Sequence, residues 1–234
     1  MGAASEPDAL SGGDASIVLR DAVWFSGSRL GSTYDVYGAG DVRIAALPVD
    51  RISGFFHDAI ETRGMQLDCG ACAIRDWKRG DEWDLVQSAN NPNVSRFLTD
   101  RFPSPYTLQD AYAWIDLNEA RRESTDFAVT VGGIVAGGIG YTLGSYEMRL
   151  TATIGYWLAE PFWGRGITTA ALRALTDYAF QTHGLRRIGS VVMAPNVASA
   201  RVLEKAGYVR EGIMRNGVAK RGEVYDLLLY ATVR

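Results

Sequence analysis

Lysine is almost missing from these 234 residues: only three of the 24 basic side chains are lysine, and the rest are arginine. Cysteine and histidine number two each. Two cysteines cannot build a disulfide framework, and Cys69 and Cys72 show no zinc-ligand spacing with His57 and His183, so no metal site is expected. No stretch reaches the ~18–20 consecutive apolar residues of a membrane span. Residues 1–16 have neither a basic start nor an apolar run, so no secretory signal is read and a cytoplasmic protein is expected. A net charge of −3 without a basic run gives nucleic-acid binding no support. What is present is an ordinary globular composition, 47% hydrophobic, 22% charged and 11% aromatic. A compact chain of this length buries roughly 70–75% of its unfolded surface without staples.

The charge is unevenly spread. Residues 1–64 carry nine acids and five arginines, a net of −4, while residues 65–234 carry eighteen acids and nineteen bases, a net of +1. The chain therefore reads as two parts, 1–64 and 65–234. In the first, residues 1–16 are small and polar and expected to be disordered, 17–25 and 42–47 read as strands, and 49–62 reads as an amphipathic helix with Phe55, Phe56, Ala59 and Ile60 on one side. This part carries no motif. It is either an appendage or the product of a start placed upstream of Met65, and the abrupt change at Met65 favours the second reading.

After Met65 the pattern is regular. Residues 71–77 alternate like a strand, and 79–89 read as a helix with Trp83, Val86 and Ala89 on one face. Thr107-Leu-Gln-Asp110 is a capping box opening a helix to about 122. Gly132-Gly133 between two apolar runs signals a hairpin over 127–144. A strand follows at 152–160, then a helix at 168–182 with Leu172, Leu175 and Ala179 at helical spacing. A strand at 186–193, a helix at 196–207 and strands at 208–214 and 223–233 complete the order. This is an α/β (α+β) pattern, a mixed and mostly antiparallel sheet with helices on both faces, and not a run of βαβ units.

The most informative stretch is WLAEPFWGRGITT, residues 157–169, which joins a strand to a helix through glycines. The first N–H groups of a helix lack internal partners, and the helix dipole adds about half a positive charge there. Glycines let the main chain wrap an anion, and Arg165 adds a full charge, so the turn is a phosphate cradle. A dinucleotide site would need a third glycine where Thr169 stands and an acid about 20 residues on, where Val191, Val192 and Met193 stand instead.

Residues 154–180 (IGYWLAEPFWGRGITTAALRALTDYAF) followed by 196–212 (NVASARVLEKAGYVREG) resemble the GNAT acetyltransferases, and among them the RimJ/RimL-like branch. The resemblance runs from about residue 66 to 234. It implies an open sheet splayed at a cleft for acetyl-CoA as co-substrate. The family's loop, Gln/Arg-x-x-Gly-x-Gly/Ala, corresponds to Trp163–Thr168, which keeps Gly166 but ends in Thr168. By resemblance, Arg165, Gly166, Ile167, Thr168 and Thr169 meet the pyrophosphate. The backbone of Tyr156, Trp157 and Leu158 pairs with the pantetheine arm, a strand N–H polarises the thioester carbonyl, and Asn196 holds the pantetheine. Many members protonate the departing thiolate with a tyrosine where this chain has Leu203. Ser199, one turn earlier, is the group this branch uses, although a serine near a helix start also serves as a cap.

The attacking amine must lose a proton. A lysine-type amine costs about 4.6 kcal/mol to present neutral at pH 7, an α-amine only ~1–1.4. Glu147, Glu223 and Asp226 are the candidate bases, with Asp226 equally readable as a structural strand carboxylate. Tyr106, after Pro103 and Pro105, borders the amine site by resemblance and reads as a substrate contact or as packing. The acceptor is a protein N-terminus or a small amine, attacking directly because no activated Cys or Ser–His pair is visible. With Thr168 and Leu203 at two family positions, a catalytically silent acyl-CoA-binding module is the alternative. Sheet pairing in the family also allows a homodimer.

Overall fold

The computed structural model describes residues 64–121 and 123–234 in full and, before them, the main chain of four strands. The chain divides into two compact units, Met1–Arg63 and Gly64–Arg234. In the first, β1 (Asp14–Leu19), β2 (Val23–Ser28), β3 (Thr33–Gly38) and β4 (Val42–Pro48) form an antiparallel meander in sequence order. The strand expected over 17–25 is in fact two, paired from Leu19↔Val23 outwards. Residues 14–16 belong to β1 rather than to a disordered stretch. The helix expected over 49–62 lies outside the described residues.

The second unit opens with β5 (Gln66–Asp68) and β6 (Ala73–Asp76), then α1 (Glu82–Ala89), α2 (Pro92–Ser95) and α3 (Leu108–Glu119). The hairpin of β7 (Asp126–Val131) and β8 (Ile134–Leu143) leads to β9 (Thr151–Leu158), α4 (Ile167–His183) and β10 (Arg187–Met193). α5 (Val197–Lys205), β11 (Val209–Lys220) and β12 (Glu223–Val233) end the chain. The eight strands form one sheet in the order β11-β12-β10-β9-β8-β7-β6-β5.

Local chemistry places most of these elements. Thr107 and Asp110 exchange the two bonds of a capping box at the start of α3, an arrangement of the kind worth about 1 kcal/mol. Gly132 and Gly133 both take positive φ, 60° and 86°, as the two-residue turn of a tightly twisted hairpin requires. β5 and the short α2 carry too few residues to show a period, and neither was expected.

Each face of the sheet is covered by its own helices. Ile74, Phe127, Ile139 and Ile154 pack with Leu172 and Leu175 of α4 and Leu203 of α5. On the other face Trp77, Ala128 and Val135 pack with Leu85 of α1 and Ala111 of α3. The stripe of α4 is as its spacing indicates. That of α1 is not: Leu85 and Ala89 are buried, whereas Trp83 is 64% exposed. The buried side is set by position 82, where Glu82 turns inward and accepts the Gly80 N–H at 2.8 Å.

Candidate functional site

The site begins where two strands stop pairing. β9 and β10 are the one parallel pair among the described strands, and they pair only at Arg187↔Thr151, Ile188↔Ala152 and Gly189↔Thr153. Beyond that, β9 stays on β8 as far as Leu158↔Gly137, and β10 stays on β12 as far as Met193↔Leu227. The two strands part like the arms of a V. Ser190 sits at the apex and donates its hydroxyl to the Ile154 carbonyl at 3.0 Å, satisfying the first acceptor the ladder abandons.

The ladder on the other side of β9 fixes which main-chain groups face the opening. Gly144 N–H donates to Thr151 O and Ala159 N–H to Ala136 O, each at 2.8 Å. Antiparallel hydrogen-bonded positions recur every second residue, so Thr153, Gly155 and Trp157 turn their main chain to β8. Ile154, Tyr156 and Leu158 turn theirs to the split. Of the expected trio, Tyr156 and Leu158 thus have main-chain groups on the opening, and Trp157 meets it through its side chain. The Leu158 carbonyl is already taken by the Trp163 indole N–H at 2.7 Å.

A cleft of about 690 Å³ runs from the split across the sheet. Tyr156, Asn196 and Ser199 line it, as does an aromatic cluster of Trp77, Phe102, Tyr106, Trp114 and Trp157. Gly138 makes room for it: a Cβ there would stand 2.6 Å from Trp157 Nε1. Asn196 caps α5, its Oδ1 accepting the Ser199 N–H at 3.2 Å. Ser199 Oγ lies 3.0 Å from the Tyr156 hydroxyl, which also donates to the Ser199 carbonyl at 3.1 Å. With that proton committed, the serine hydroxyl is the donor within the pair. Burial pushes the Tyr156 phenol up to about 12 against the opposing bond from Ser199, so it stays protonated at neutral pH. Leu203, at the position of the family's tyrosine, is fully buried in the core.

A second cavity, about 230 Å³, lies at the start of α4. Gly166 caps this 17-residue helix in the left-handed region, φ 77°, with no side chain bonded to the first N–H groups. A Cβ on Gly164 or Gly166 would meet nothing within 4 Å, so glycine is required here by φ and the space above the turn is open. Gly166, Ile167, Thr168 and Thr169 line the cavity, and Arg201 and Lys205 face them from α5. Those two cations were not expected; their four-residue spacing on the helix at 196–207 was the available signal. Arg165 does not line the cavity, and its guanidinium stacks 5.6 Å from the Phe162 ring.

The three carboxylates proposed as bases lie away from the cleft. Glu147 is exposed in a 3-10 turn (Tyr146–Met148), and Glu223 is exposed at the end of the β11–β12 hairpin. Asp226 Oδ1 accepts the Asn216 N–H at 2.8 Å and so holds the irregular stretch of β11 between Met214 and Val218. The single carboxylate on the cleft among the described residues is Asp126, paired with Arg121. Cys69 and Cys72 are free and flank the β5–β6 turn. Among the described residues no cluster of three or more His, Cys, Asp or Glu side chains could hold a metal ion, and no helix is long and apolar enough to cross a membrane.

Residues 72–209 match the model of the acetyltransferase (GNAT) domain. The chain belongs to the GNAT family. Over 88 residues it is 40% identical to the putative ribosomal N-acetyltransferase YdaF of Bacillus subtilis, covering 38% of this chain and 48% of that one. It is 35% identical to the ribosomal-protein-serine acetyltransferase of Escherichia coli strain K12, covering 37% and 48%. The chain thus spans about half the length of these curated relatives. The GNAT fold itself extends further. A structure of RimL, a ribosomal L7/L12 α-N-protein acetyltransferase in complex with coenzyme A, superposes with a TM-score of 0.64 at 20% identity, over 72% of this chain and 98% of that one.

Proposed function

We propose that this protein moves an acetyl group from acetyl-CoA to a primary amine, with the reaction taking place in the split between β9 and β10. The observation that carries this reading is the join of two features. The strand edge at Ile154–Leu158 lacks a partner beyond the ladder, and the chain after it passes through the Glu160–Phe162 turn into a helix start that has no side-chain cap and is faced by Arg201 and Lys205. An extended arm carrying amides at one end and phosphates at the other fits that sequence of groups. The edge offers ladder bonds, and the helix start offers N–H donors, the helix dipole and two cations.

Tyr156 and Leu158 would pair with the pantetheine arm, and Asn196 would flank it. Gly166, Ile167, Thr168 and Thr169 would hold the pyrophosphate, joined by Arg201 and Lys205. Arg165 remains close enough in sequence to contribute charge without lining the cavity. When bound, acetyl-CoA supplies an activated acyl carbon. Ser199 Oγ would hold the proton for the departing sulfur, and Tyr156, which accepts from that hydroxyl, would orient it. Among the described residues the one carboxylate on the cleft, Asp126, is paired with Arg121, so the amine would enter neutral or pass its proton to water, which favours acceptors of low pKa. Relatives named for ribosomal proteins, and the likeness to an α-N-protein acetyltransferase, support a protein N-terminus as one such acceptor, beside small amines.

The test is to incubate the protein with acetyl-CoA and a panel of amines and to follow free thiol release. Turnover on an amine supports transfer. Binding of acetyl-CoA with no turnover on any amine would assign the chain to the silent acyl-CoA-binding modules, a reading that the buried Leu203 keeps in play. Absence of binding sinks both.

A further inference from the structure

Acetyl transfer makes no use of Cys69 and Cys72, yet the fold sets them face to face. They flank the two-residue turn of Gly70 and Ala71, in which Gly70 takes φ 74°. The pairing of β5 with β6 runs to Asp68↔Ala73, and the Cys69 N–H donates to the Cys72 carbonyl at 2.9 Å, which makes the cysteines the next opposed pair. Opposed residues of an antiparallel pair share one face. At a hydrogen-bonded position their Cα atoms stand about 5.5 Å apart, inside the ~4.4–6.8 Å that a disulfide spans. Both side chains lie against the core that carries α4.

The two thiols differ in their surroundings. Cys69 is half-buried beside an exposed turn, whereas Cys72 is buried. Cys72 donates to Cys69 and draws that thiol below its ordinary value, against burial and the Asp68 charge. Cys72 moves the other way, pushed up by the same bond and by burial. One sulfur is thus reachable and readily ionised while its neighbour keeps its proton, the division between attacking and resolving thiols in redox-sensing pairs. The Cys72 Sγ–H also reaches the Ile167 carbonyl, 3.8 Å away and 95 residues along the chain. Ile167 opens α4 and lines the cavity of about 230 Å³. A single proton therefore joins the cysteine turn to the helix start, and a bond between the two sulfurs would remove it.

We propose that Cys69 and Cys72 are an oxidation site that closes to a disulfide under a hydroperoxide, and that the first turn of α4 reads their state. The Cys69 sulfur attacks one oxygen of the O–O bond, which breaks. Cys69 becomes a sulfenic acid, and its proton leaves on the other oxygen as an alcohol or water. The Cys72 sulfur then attacks the Cys69 sulfur, the S–O bond breaks, and the hydroxide leaves with the Cys72 proton as water. The two thiols give up two electrons and the peroxide takes them. The Ile167 carbonyl is left without its side-chain partner. A dithiol reductant restores both cysteines by exchange.

The experiment treats the reduced full chain with tert-butyl hydroperoxide, then follows alkylation by mass spectrometry and amide hydrogen exchange along α4. The peptide holding both cysteines is expected to lose two hydrogens and to resist alkylation, and dithiothreitol should reverse both changes. Cys72→Ala should stop at a Cys69 sulfenic acid that dimedone traps, and Cys69→Ser should leave Cys72 unoxidised at the same dose. In the oxidised chain the amides of residues 170–172, whose bonds close the first turn of α4, should exchange at least threefold faster. Resting on the acetyltransferase reading, Kd for acetyl-CoA should rise two- to fourfold by calorimetry. Cys69→Ser should bind acetyl-CoA as the reduced protein does, with or without peroxide. Two alkylatable thiols after peroxide overturn the proposal, as does a disulfide that leaves the exchange of α4 or, where acetyl-CoA binds, its Kd unchanged. Failure of acetyl-CoA to bind either form overturns the acetyltransferase reading instead, and the exchange still decides this one.

Discussion

Ser199 shows how one side chain can satisfy two readings at once. It is the first-turn residue whose N–H the Asn196 cap satisfies, and its hydroxyl is held by Tyr156 at the edge of the cleft. A serine valued only for its place on α5 could lose its hydroxyl with little kinetic effect. One holding the proton for the leaving sulfur could not. Ser199→Ala is expected to lower kcat by at least tenfold while KM for acetyl-CoA moves less than twofold, as steady-state kinetics would show; unchanged kcat removes Ser199 from the mechanism. The tyrosines add a pH signature. Burial raises Tyr156 and Tyr208 to about 12, above the ordinary tyrosine value near 10. A folded-state pKa above the unfolded one gives stability that is complete below pH 10 and is lost as pH rises towards 12. The size is on the order of 2–3 kcal/mol for each ring. Urea unfolding at pH 8, 10 and 11 should show a level stability up to about pH 10 and a fall beyond it, and replacing both tyrosines by phenylalanine should lessen that fall without abolishing it, because burial also raises Tyr106, Tyr141 and Tyr230.

Among the elements, α4 and α5 line one cavity together although the sequence announces only one of them. The glycine turn before α4 is legible because main chain that must wrap an anion needs glycine, and glycine leaves a mark in the sequence. The share of α5 was hidden because a pair of basic residues four apart on a helix is ordinary surface chemistry until the fold points it at something. The same limit explains the bases. Strand residues near a cleft were legible as candidates, but Asp226 is spent on an irregularity in the neighbouring strand that no local pattern predicts. Elements that depend on short-range chemistry, such as the capping box at Thr107 and the Gly132-Gly133 turn, were legible almost to the residue. For the α5 cations the expectation is concrete. Replacing Arg201 and Lys205 together by glutamine should raise KM for acetyl-CoA about tenfold, equivalent to about 1.4 kcal/mol. The salt dependence of that KM should flatten, while S-acetyl-pantetheine, which has no pyrophosphate, should be used as before. An equal loss on both substrates would mean that α5 had been disturbed rather than stripped of a contact.

At the scale of the whole molecule, the split sheet sets a bargain between folding and binding. A sheet that paired β9 and β10 along their full length would be more complete, yet this one stops after three residue pairs and closes the ladder with the Ser190 hydroxyl. What remains is an interior strand edge, with the same hunger for partners as the rim of an unprotected sheet. A ligand lying along it acts as a missing ninth strand, and the folded state alone offers that place. Saturating acetyl-CoA at 100 times its Kd should therefore stabilise the protein by about 2.7 kcal/mol, seen as a rise in the thermal midpoint that inorganic pyrophosphate alone reproduces only in part. If acetyl-CoA occupies the break, the protein's durability would track its acyl supply, because the thioester would fill a seam that the fold itself leaves open.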